Sequence, residues 1–166
     1  MARPIEGTAA LALALALAAG VAGVKAQAPA ERADQPGALG VARMRYMVGD
    51  IQSSVAFYTG KLGFRLVTQS GPFFALLTRG DVQLLLSPVK GPGGASQPMP
   101  NGDKPLPGGW NRIVLYVSDL DGEVARLRGQ GVRFRNDIVR GLGGDEIVVE
   151  DPSGNPIELF QPTAGR

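Results

Sequence analysis

Cysteine and histidine are both missing from the chain. Without cysteine there are no disulfides and no thiol nucleophiles. Without histidine there is no Ser-His-Asp triad, and the commonest transition-metal ligand is lost. Any metal would have to live on oxygen donors. A surplus of one charge is also lacking, because 17 Lys and Arg stand against 15 Asp and Glu for a formal charge of +2. The basic residues are spread among acids instead of forming a run, so the clustered footprint of a nucleic-acid binder is absent. What is present is a 44% hydrophobic content over 166 residues, enough for one globular domain that buries its own core.

The long apolar run lies at the N-terminus. Arg3 supplies a thin positive flank, TAALALALALAAGVAGV (8–24) is the apolar core, and small residues follow in VKA and AQA. This is the pattern of a secretory signal. Seventeen apolar residues are short for a span of roughly 20, and no basic stop-transfer flank follows. The expectation is a signal peptide at 1–26 with cleavage after Ala26, then a polar, Pro-containing, flexible mature N-terminus at 27–40. The implied location is secreted or periplasmic, without stable membrane insertion once the signal is removed.

The rest of the chain repeats itself. MVGDIQSSVAFYTGKLGFRL (47–66) and YVSDLDGEVARLRGQGVRFR (116–135) share an apolar strand, an Asp and a helix with matched apolar positions. Ile51, Val55, Tyr58 and Leu62 fall on one helical face, and Leu120, Val124 and Leu127 on another. Asp50 and Asp119 stand where an N-cap would satisfy free backbone N–H groups, and Gly63 and Gly131 end the helices. The ends of the halves match by a shift of 74, with GDVQLLLSP (80–88) over GNPIELFQP (154–162). FRLVTQS and PFFALLTR supply two more strands in the first half, VRFRNDIV and DEIVVED two more in the second. Each half therefore reads β-α-β-β-β. Module one covers 41–88, a Gly/Pro-rich joint 89–109, and module two 110–163. The fold class is α+β, with two such modules forming an eight-stranded, half-open cup and helices outside.

FYTGKLGF, YVSDLDGEVARLRGQGVRF and DPSGNPIELFQP together resemble the vicinal oxygen chelate superfamily, the glyoxalase, bleomycin-resistance and extradiol-dioxygenase group. In metal-dependent members a His or Gln lies seven residues before each helix-opening Asp, and a Glu sits in the last strand. The resemblance puts these places at Arg43, Arg112 and Glu158, and the shift of 74 adds Leu84 as the partner of Glu158. Arginine has no lone pair to offer a cation, and one carboxylate does not hold a divalent ion alone. The expectation is that no metal or other cofactor is bound and that Glu158 pairs with Arg112, Arg43 or both.

From this follows a binding module for a small organic ligand, anionic or planar. Arg43 and Arg112 would make the anion contact and Tyr116, Trp110 and Phe160 a stacking wall, with Leu84 and Glu158 also among the ligand-binding positions. Tyr46 is read as packing, and Arg133 and Arg135 as a solvated basic face. The alternative is a metal-dependent glyoxalase or lyase, or a dioxygenase-type enzyme, with rearranged ligands such as Asp103 or Asp145 and Glu158 as the catalytic base. A further alternative is a scaffold that uses the 89–109 joint as its contact surface. Some relatives assemble modules between chains, which leaves a homodimer open, although two halves suffice for one cup.

Overall fold

Asp50 ends one strand and opens one helix. Its backbone is extended and its carboxylate accepts from Ser53 N at 2.7 Å, which fixes the first turn and, with the Ser53 contacts as cause, lowers its pKa. Asp119 caps the second helix, its carboxylate accepting from Gly122 N at 2.9 Å. At the far end of the first helix, Gly63 takes the left-handed conformation (φ 69°) and its N–H bonds Tyr58 O, a turn that a Cβ would strain.

The computed structural model describes residues 41–163; the expected signal peptide and the 27–40 stretch lie outside the described residues. Module one runs β1 Met44–Val48, α1 Ile51–Leu62, β2 Arg65–Ser70, β3 Phe74–Arg79 and β4 Val82–Pro88. Its sheet has the order β1-β4-β3-β2, with β1 and β4 parallel. Module two runs β5 Ile113–Tyr116, α2 Leu120–Gly129, β6 Arg133–Phe134, β7 Val139–Arg140, β8 Gly144–Glu150 and β9 Pro156–Pro162. Its sheet has the order β5-β9-β8-β6, with β7 also on β8. Two helices and two mixed sheets make this the expected α+β fold. No described helix is long and apolar enough to cross a membrane.

One strand differs from expectation. VRFRNDIV forms β6 and β7, two residues each, because Asn136 interrupts it. The Asn136 side-chain oxygen, in place of a backbone carbonyl, accepts from Val148 N at 2.9 Å, the usual way a short polar side chain competes with a ladder.

In β1, β3, β5 and β8 buried residues alternate with more exposed ones that lie on an outer face turned away from the helices. The core collects Tyr46, Val48, Ala75, Leu77, Leu84 and Leu86 from the first sheet with Ile113, Leu115, Ile147, Val149, Ile157 and Leu159 from the second, around helix residues such as Tyr58 and Leu127. Tyr46, on β1, locks the modules together. Its hydroxyl donates to Pro156 O at 2.8 Å and accepts from Ile113 N at 3.0 Å. Burial pushes its pKa up to about 12. Tyr58 is raised well above the ordinary tyrosine value, first by burial and then by Asp151, whose carboxylate its hydroxyl meets at 3.1 Å.

Candidate functional site

The outer face of module two carries Arg112, just before β5, and Val114 and Tyr116 on it, with Glu158 and Phe160 on β9 beside them. Strand pairing sets Val114 opposite Glu158 and Tyr116 opposite Phe160. Glu158 is 7% exposed, and Val114 and Val148 are its direct neighbours across the strands. A carboxylate in such surroundings needs a compensating charge. Arg112 provides it, with Nε at 2.6 Å and Nη2 at 2.5 Å from the same oxygen, Oε2. Tyr116 meets Phe160 edge to face, centroids 5.5 Å apart, and the residue is 66% exposed.

Trp110 stands apart from this pair. It is exposed and lies under the guanidinium of Arg135, 5.5 Å from ring centroid to cation. Arg135 is not part of a solvated basic face as expected. Its donors are spent on Glu150 Oε1 (2.9 Å), Gly109 O (2.7 Å) and Gly154 O (2.9 Å), which tie the joint to module two. Arg133 remains mostly exposed and reaches Glu150 at 2.9 Å.

The outer face of module one holds Arg43, just before β1, and Arg45 on it, Gln83, Leu85 and Ser87 from β4, and Leu76 and Thr78 from β3. Arg43 Nε donates to Gln83 Oε1 and Arg45 Nη1 to Ser87 Oγ, each at 2.5 Å. Neither arginine has a carboxylate within ion-pair distance among the described residues. Arg43 therefore bonds Gln83, not Glu158.

Leu84 requires a correction. It is fully buried and faces the helix layer, so it lines no ligand surface. Arg45 and Val114 each stand five residues before their capping Asp. Arg45 pairs with Leu85, and Val114 with Glu158, so Leu85 is the counterpart of Glu158. The slip comes from aligning Gly80 with Gly154. Gly80 belongs to a two-residue turn between paired Arg79 and Val82, Gly154 to a longer loop between paired Glu150 and Pro156. A one-residue slip moves a side chain to the other face. Arg45, Gln83 and Ser87 were missed. Arg45 was within reach of the sequence, because it stands two residues from Arg43 and the strand period places both on one face.

The chain belongs to the glyoxalase/bleomycin resistance protein/dioxygenase superfamily, whose family model matches residues 40–159. It is similar to bleomycin resistance proteins of Geobacillus stearothermophilus and Staphylococcus aureus, 30% identical over 120 residues that cover 69% of this chain and 90% of theirs. Among solved structures it is similar in fold to an antibiotic binding protein from Streptomyces sp. CB03234 (24% identity, TM-score 0.56, covering 78% of this chain and 100% of that one). It is also similar in fold to a lactoylglutathione lyase from Agrobacterium tumefaciens (20% identity, TM-score 0.58, covering 76% and 95%).

The metal that the fold family implies can be tested against these side chains. The four corresponding positions are Arg43, Leu85, Arg112 and Glu158. Two are obligate cations, one is aliphatic, and the carboxylate is already engaged by the Arg112 guanidinium. Among the described residues no three acidic side chains converge. Asp145 bonds Arg140 and shares the pleat of Ile147, opposite that of Glu158, and Asp103 accepts from Asn101 in the joint at 2.7 Å. This donor set does not fit a divalent cation.

Proposed function

We propose that the protein is a metal-independent binding module, secreted or periplasmic, which holds a small organic anion with a planar or apolar body on the outer faces of its sheets. The observation that carries this reading is the Arg112–Glu158 ion pair. It places two charges that satisfy each other where metal-dependent relatives offer lone pairs to an ion. Exposed Tyr116 and half-buried Phe160 give a ring surface beside it, and Arg43 and Arg45, which meet only neutral oxygens, favour anions over cations. Kinship with bleomycin resistance proteins supports sequestration, which requires no catalytic group. The N-terminal apolar run supports export.

The test is metal content after purification without chelators, together with the rise in melting temperature on adding small organic anions. The reading expects substoichiometric Mn, Fe, Zn and Ni and stabilisation by anions. Near-stoichiometric metal would overturn it in favour of a lyase- or dioxygenase-type enzyme with Glu158 as base. Mass spectrometry of the exported chain should find Gln27 first; an intact N-terminus would remove the signal peptide.

A further inference from the structure

We infer that the ligand is received by the outer face of module one, on Arg43 and Arg45, and that it carries two oxyanions at opposite ends of an apolar body, as a small dicarboxylate does. This rests on the binding-module reading and assigns its anion contact.

The four strands of module one contain no Asp and no Glu. Their outer face carries a row of Arg65, Thr78 and Gln83 in direct register, continued by Arg43 through its hydrogen bond to Gln83. Arg45 follows one pleat along. In module two Arg112, Arg133, Arg135 and Arg140 each meet a carboxylate, whereas Arg43 and Arg45 meet only neutral oxygens. Each keeps guanidinium N–H groups with no acceptor among the described residues. The tethers matter because an arginine held in place loses less side-chain entropy on binding. Ser87, only 4% exposed, is a buried hydroxyl spent on holding Arg45.

The spacing selects the ligand. Gln83 and Ser87 lie four residues apart on β4, about 13 Å at roughly 3.3 Å per residue, so the tethers draw the two guanidiniums to opposite sides of Leu85. Two oxyanions set apart match guanidiniums held this way better than one carboxylate does. Leu85, opposite Arg45, and Leu76, paired with Leu85, offer a half-buried apolar floor between the cations. β1 is an edge strand, and edge arginines discourage pairing with other chains. That role accounts for the charge, but not for the tethers from β4 or for the absence of acid across all four strands.

The experiment is calorimetric titration of the full chain with terephthalate, benzoate and benzamidine as dianion, monoanion and cation. Terephthalate should bind about tenfold tighter than benzoate, and Arg43→Gln or Arg45→Gln should each weaken it about tenfold, as loss of one charge-assisted contact implies. Benzamidine should not compete, and Arg128→Gln, on α2, should change nothing. Arg45→Lys should recover part of the loss, keeping the charge without the planar fork. Equal affinity for benzoate and terephthalate overturns the inference. So does a fully folded Arg43→Gln/Arg45→Gln double variant with unchanged binding; loss of binding in Arg112→Gln alone would then leave the binding-module reading standing. If neither anion binds the native chain, both fail.

Discussion

The two modules share one sequence of elements but have opposite electrostatic habits. Module two pairs three of its four strand acids: Glu158 with Arg112, Glu150 with Arg133 and Arg135, and Asp145 with Arg140, leaving Glu146 on β8 without a cation among the described residues. Module one has no acid in any strand and holds Arg43 and Arg45 on neutral acceptors. The duplicated frame constrains what both copies need, an Asp cap and a core face. The outer faces carry no such shared demand, so one holds its arginine in a carboxylate pair and the other is a cationic surface without acids in its strands.

The sharpest test of the face assignment is a pair of neighbouring leucines. Leu84→Ala should cost about 2–5 kcal/mol, as large-to-small changes in a packed core do. Leu85→Ala on the outer face should cost about 1 kcal/mol or less while weakening dianion binding. Urea denaturation of both reads the difference, and equal losses would place the two on the same footing.

Next in size is the lock between modules. Tyr46→Phe leaves Pro156 O and Ile113 N without their partner, at about 2 kcal/mol for buried groups so stranded, seen as a lower melting temperature with the sheets intact by circular dichroism. Alkaline titration probes the same residue. Its pKa is raised from 10.0 to about 12, so native stability from this group is complete below pH 10 and is lost as pH rises toward 12. Tyrosinate absorbance from Tyr46 and Tyr58 should appear together with unfolding; its appearance in a folded protein would show that Tyr46 is not desolvated.

A smaller effect is expected from Glu158→Gln. Removing one partner of a buried pair costs several kcal/mol, but Arg112 is 31% exposed and solvent screens it, so about 1–2 kcal/mol is the expectation. Unchanged stability would strip the ion pair of its structural role in module two. The least effect should come from Arg45→Gln, within about 0.5 kcal/mol for an exposed residue.

Much of this frame is legible in the sequence, since Asp50, Asp119 and the helical spacings of Ile51–Val55–Tyr58 and Leu120–Val124–Leu127 are local signals that tertiary packing reinforces. The pairing of Arg112 with Glu158 follows from chemistry, because a buried carboxylate must find a cation. The position of Leu84 was not legible. Which face a strand residue takes depends on register with β1, a long-range property, and the turn glycines gave a count that did not carry it. Nor was the break in VRFRNDIV, where Asn136 competes for Val148. Nor was the contact of Trp110 with Arg135, which joins the first residue of module two to one just beyond β6 and is visible only in the folded chain.

The most direct measurement is terephthalate affinity of the full chain in EDTA and again with added manganese or zinc. The arginine face predicts the same dissociation constant in both, with sensitivity to salt from the charged contacts. Binding that emerges only when the metal is supplied would contradict it.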